Sequence, residues 1–178
     1  MRAGRMCKNA SRTLIGGVGY RWMRDASFGL VAADALAREP WPAGVEVADL
    51  GYGALYVALD LGDARPPYHR VVLLAGVQRG REPGRLYRVR WAPQPVDDAE
   101  LQARIREAGA GVVDLDHLLL IAQHFGALPN DVVCIELEPV DAEGGDGLSG
   151  AGAAALPEAL RLARAEALAP ASLDAVSA

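Results

Sequence analysis

The chain has 178 residues, 51% hydrophobic and 23% charged, enough for one domain with a substantial core. Its 18 Lys and Arg against 23 Asp and Glu leave a net charge of −5 with no basic face, which argues against a nucleic-acid partner. No apolar run approaches the ~18–20 residues of a membrane span, no long apolar region follows Arg2, Arg5 and Lys8 as in a signal peptide, and Cys7 and Cys134 have neither metal spacing nor the density of a secreted disulfide scaffold. A cytoplasmic protein is expected, with no nucleic-acid or membrane partner.

Residues 1–11 read as a loose leader. "TLIGGVG" (13–19) reads as a short buried strand ending in glycines. Over 27–38 the spacing of Leu30, Val31, Asp34 and Ala35 predicts a helix, with Ser27 as its N-cap. "PWPAG" breaks the chain, "VEVADL" (45–50) alternates as a strand, and "GYGALYVALDL" (51–61) opens with glycines and continues as a helix. "HRVVLLAGV" (69–77) is continuously apolar, as in a central parallel strand covered on both faces. After the turn at 82–84, "RLYRVRW" (85–91) alternates apolar and basic residues like an edge strand. A polar connection follows, helical in its middle, and then a helix over 114–126 stopped by Gly126 and Pro129. "DVVCIELEP" (131–139) is a strand, 141–147 a flexible loop, 149–168 a closing helix and 169–178 a disordered tail. The domain thus spans 12–168.

Alternating strands and helices predict a three-layer α/β/α sandwich around a mostly parallel, twisted sheet of about five strands. Ligand sites in such folds lie beyond the carboxyl ends of the strands. Loops 19–28, 50–53 and 76–82 should converge there, which makes Tyr20, Arg21, Trp22, Asp25, Ser27, Asp49, Gly51 and Tyr52 candidates for a pocket or partner surface.

Each chemical motif has a bland competitor. Gly17-Val18-Gly19 is followed by Tyr20, Arg21 and Trp22, so the third glycine of a dinucleotide fingerprint is missing and a structural turn is the better reading. "GYRWMRD" either docks a partner or caps the sheet with Trp22 and Met23. His117 and His124 are seven residues apart, wider than helical metal pairs, so Asp114 or Asp116 as a helix cap, with the histidines at the margin, is the simpler account. Cys134 reads as a buried, inert thiol. Glu136 and Glu138 are either solvated or paired with Arg88 and Arg90 on a neighbouring strand.

From about Leu14 to Glu166 the order of motifs resembles the hydrogenase maturation endopeptidases, nickel-recognising proteases that remove a C-terminal extension from the large subunit of [NiFe] hydrogenases. "LIGGVGYRWMRDASFGLVAADAL" is similar to the family's strand, G-x-G-N turn, acidic loop and first helix; "GVEVADLGYGALYVALDL" to its second strand and glycine turn. "HRVVLLAGVQRGREPGRLYRV" resembles the third strand and the turn into the fourth, and the segment from Leu128 to Glu166 the closing strand and final helix.

The resemblance implies a large-subunit precursor as partner, that precursor's nickel or a surrogate ion at the site, and three ligands. These are an acidic residue after an Asp in the first loop, an Asp ending the third strand, and a His before the helix that starts near Asp114. Carried over, they fall on Ala26, Gly76 and about Gly111, and the turn Asn falls on Tyr20. None of the three has a coordinating side chain. Three readings follow. One is a non-proteolytic accessory protein of hydrogenase maturation. Another is an active endopeptidase with a rearranged site using Asp25, Asp49 or His117. The third is a small-molecule-binding module on the same scaffold.

Overall fold

The computed structural model describes residues 12–170; the expected leader (1–11) and all but two residues of the expected tail (169–178) lie outside them. Five strands form one sheet: β1 (Thr13–Val18), β2 (Val45–Asp49), β3 (Arg70–Gly76), β4 (Leu86–Arg90) and β5 (Asp131–Leu137). Their order is β2-β1-β3-β5-β4, parallel except for β4, which runs antiparallel to β5. Helices α1 (Phe28–Leu36) and α5 (Gly150–Leu168) cover one face; α2 (Ala54–Asp63) and α4 (Leu115–His124) cover the other, with α3 (Asp98–Gly109) against α4 and α2. This is the expected three-layer sandwich. No described helix is long and apolar enough to cross a membrane.

β3 is the middle strand, and its unbroken apolar run follows from burial on both sides. Val72 and Leu74 point into the core beneath α1 and α5, and Val71 and Leu73 into the core beneath α2 and α4. α1 lies unusually close to the sheet because Gly29 faces it: a Cβ there would stand 2.1 Å from the Leu74 carbonyl oxygen. Among the described residues β4 has a strand neighbour on one side only, which is why its polar alternation is tolerated.

Two boundaries differ from expectation. α1 starts at Phe28 because residues Arg24–Ser27 wind as a 3-10 turn, and the Ser27 hydroxyl donates back to the Arg24 carbonyl instead of capping α1. Ala169 and Pro170, expected as tail, are gripped by buried Arg70. Its guanidinium donates to the carbonyls of Glu166 (2.6 Å), Ala169 (2.9 Å) and Pro170 (3.0 Å), while its Nε donates to Asp131 (2.7 Å). The orphan carbonyls at the end of α5 thereby find donors.

Removing Arg70 strands these carbonyls and half-frees a buried carboxylate. Arg70→Ala is expected to lower unfolding free energy by about 3 kcal/mol, as Arg90 still holds Asp131; urea denaturation followed by circular dichroism measures this.

Candidate functional site

The first loop is held by its own backbone and by one carboxylate. Met23 and Gly145 form a parallel bridge, Gly145 N donates to the Trp22 carbonyl (2.9 Å), and Asp25 N donates to the Asp141 carbonyl (2.9 Å). The Asp25 side chain is fully buried. It accepts hydrogen bonds from the backbone N–H of Val140 (3.0 Å), Asp141 (3.3 Å) and Ser149 (2.8 Å) and from the Ser149 hydroxyl (2.7 Å). That hydroxyl also caps α5 by accepting from Gly152 N (3.0 Å). The structure therefore places Asp25 and Ser27 inside the protein and not on the crevice: Asp25 is a staple between the first loop and the segment before α5. Fully buried among four donors, the carboxylate is turned away from any water or metal in the crevice.

Two of the three positions aligned with metal ligands, Ala26 and Gly76, come together, and neither carries a ligand. Gly76, at the end of β3, lies directly under the backbone of residues 25 and 26: a Cβ on it would stand 2.0 Å from the Asp25 carbonyl oxygen and 3.2 Å from the Ala26 Cα. The space an aspartate would need is filled by main chain. Gly111, at φ +98°, is exposed before α4, and Tyr20 reaches it. The Tyr20 hydroxyl accepts from Val113 N (2.7 Å) and donates to the Gly111 carbonyl (3.3 Å), tying the first loop to the α3–α4 connection. Among the described residues no three His, Cys, Asp or Glu side chains converge as a metal group. A methyl group and two glycines do not fit a divalent ion.

Six of the candidates do meet. Tyr20, Arg21, Trp22, Asp49, Gly51 and Tyr52, with Leu30, line a hollow of about 460 Å³ beyond the ends of β1 and β2. Arg21 bridges Asp34 (2.8 Å) and Asp49 (2.6 Å), and these hydrogen bonds hold its guanidinium above its ordinary pKa. Asp49 also accepts from Gly51 N (2.7 Å). The Tyr52 hydroxyl donates to Asp60 (2.6 Å); burial and this carboxylate both raise its pKa. Trp22 is 70% exposed and sits at φ +57°, and Arg24 sits at φ +41°, a region that costs bulky side chains on the order of 1–3 kcal/mol each.

His117 belongs to none of this. It is buried, not at the helix margin, and holds α3 to α4: Nδ1 lies 2.8 Å from Asp114 and Nε2 2.7 Å from Glu107. Asp114 caps α4 as expected, accepting from His117 N (2.8 Å). His124 is exposed. Cys134 is buried, and burial first, then Glu136, pushes its thiol up to about 12, which keeps it protonated and inert.

Neither alternative for Glu136 and Glu138, solvation or pairing with Arg88 and Arg90, holds. β4–β5 register sets Tyr87 opposite Glu136, so Arg88 and Arg90 project from the other face, where they meet Glu166 and Asp131. Both glutamates are buried and paired with Arg79 and Arg81 from the β3–β4 connection: Arg79 to Glu136 (3.1 Å), Arg81 to Glu136 (2.7 Å) and Arg81 to Glu138 (3.1 Å). Asp116 closes the network on Arg79 (2.7 Å), beside a second cleft of about 580 Å³ floored by Trp91, Leu119 and Cys134. Sequence reasoning missed this cluster. Its signal was two arginines and two glutamates, each pair two residues apart, beyond or at the ends of adjacent strands.

No protein-family model and no curated protein matches this chain. Solved structures do. The hydrogenase 2 maturation peptidase from Thaumarchaeota archaeon SCGC_AB-539-E09 is 31% identical, over 89% of this chain and 98% of that one, with a TM-score of 0.61. The hydrogenase maturating endopeptidase HybD from E. coli is 19% identical over 85% and 88% (TM-score 0.63). The [NiFe] hydrogenase maturation protease HybD from Thermococcus kodakarensis is 19% identical over 88% and 99% (TM-score 0.60).

Two measurements check this geometry. Gly76→Ala forces a methyl group into backbone and is expected to cost about 1–3 kcal/mol or more in urea denaturation. The Glu138 carboxyl is buried, which alone would raise its pKa, but the N–H groups of Arg79 and Gly80 and the Arg81 guanidinium hold it below the usual carboxylate range. Its stabilisation is therefore full above the unfolded value of about 4.3 and is lost as pH falls through the lower folded value. Urea stability should drop across that window, and Glu138→Gln should flatten the drop.

Proposed function

We propose that this chain, which belongs to the hydrogenase maturation endopeptidase family, serves [NiFe] hydrogenase large-subunit maturation in the cytoplasm as a non-proteolytic binding protein of the precursor. The observation that carries this reading is Gly76. Where the resemblance calls for a carboxylate, the first-loop backbone lies so close that not even a Cβ fits, and the neighbouring ligand positions are Ala26 and Gly111. Peptide hydrolysis at neutral pH needs an activated water and a stabilised oxyanion. The one first-loop carboxylate, Asp25, has its four hydrogen bonds committed inside the protein. His117 is likewise held between Asp114 and Glu107.

What remains at the strand ends is suited to contact. Aromatic residues Tyr20, Trp22 and Tyr52 are exposed around a hollow that the resemblance places beside the partner. Loss of the ligand charges also removes the desolvation cost of an empty ionic site.

The test incubates the purified protein with nickel-loaded large-subunit precursor and follows both by gel filtration and intact mass. The expected outcome is co-elution with the precursor mass unchanged. Removal of a C-terminal fragment by the wild-type protein would overturn the reading in favour of an endopeptidase with a rearranged site.

A further inference from the structure

We propose that the strained first loop presents Trp22 as a preformed anchor which, with Tyr20 and Tyr52, receives a basic side chain of the large-subunit precursor. The inference rests on the precursor-binding reading above and adds the contact that makes it.

Three observations carry it. The first is strain spent on exposure. Trp22 is 70% exposed at φ +57°, and Arg24 follows at φ +41°. A chain gains nothing for its own fold by holding an indole out in solvent on a backbone that disfavours large side chains. The second is rigidity. The Trp22 carbonyl accepts from Gly145 N, Arg24 N donates to the Gly145 carbonyl (3.2 Å), and buried Asp25 fixes the next turn, so the backbone that carries the indole is in place before any partner arrives. A preorganised anchor loses little entropy on binding. The third is charge. Arg21 in the wall of the hollow and Arg38 behind it face three carboxylates, Asp34, Asp49 and Asp60, leaving one negative charge in excess around Tyr20, Trp22 and Tyr52. Aromatic faces with a net negative surround favour a Lys or Arg side chain.

The experiment measures affinity for nickel-loaded precursor at low and high salt, with melting temperature recorded for each variant. Trp22→Ala is expected to weaken binding by about 30-fold or more, the behaviour of a central anchor. Trp22→Gly should weaken it equally while raising the melting temperature by about 2–4 °C, because glycine accepts the positive φ. Trp22→Phe should retain most of the affinity. Asp49→Asn should weaken binding several-fold at low salt, and salt should weaken the wild type more than Asp49→Asn. Phe125→Ala, exposed at the far end of α4, should bind as wild type. Wild-type affinity in Trp22→Ala would overturn the anchor and leave the precursor-binding reading intact. Unchanged affinity in Asp49→Asn would overturn the basic side chain. A wild-type protein that does not bind the precursor overturns both readings together.

Discussion

The burial of Asp25 governs the architecture at this end of the sheet. A carboxylate without solvent must find donors, and here they come from Val140, Asp141 and Ser149. Satisfying it draws the first loop across the end of β3 and against the start of α5. Gly76 is the corollary: the loop reaches the segment beyond β5 only by lying directly on β3, and only a residue without a side chain allows that approach. The positive-φ turn at Trp22 and Arg24 precedes Asp25 directly and is held by backbone bonds to Gly145.

Elsewhere the protein keeps buried charge, but always in company. Arg70 meets Asp131 and the end of α5; Glu136 and Glu138 meet Arg79, Arg81 and two backbone N–H groups. These clusters are closed circuits, with donors and acceptors matched inside the fold. The hollow at the ends of β1 and β2 differs in kind, since its rings are open to solvent and its only guanidinium is already paired.

Much of the frame was legible in the residues because its causes are local. An unbroken apolar run over Val71–Ala75 demands cover on both faces, and the alternation of Leu86, Arg88 and Arg90 with Tyr87 and Val89 marks an edge strand. Asp114, one of two residues that read as the cap of the fourth helix, is that cap. Of the three loops expected at one crevice, 19–28 and 50–53 share a hollow with six candidates, while Arg79 and Arg81 of loop 76–82 line the second cleft instead. The role of Asp25 was not legible, because its partners lie 115 and 124 residues away and no local pattern names them. Nor was the pairing of Glu136, which depends on strand parity across the β4–β5 register. His117 looked marginal because its helix face is set by where α3 docks.

The free edge of β4 bears on how copies of the protein behave toward one another. Its outer side has no strand neighbour among the described residues, and an unpaired strand is a template on which a second copy's sheet can continue. Arg88 and Arg90 sit on that strand with their charges held in place by Glu166 and Asp131. Two such edges brought together antiparallel would set guanidinium against guanidinium across the new seam. The ion pairs that hold Arg88 and Arg90 within one molecule thus also set charge along its open edge.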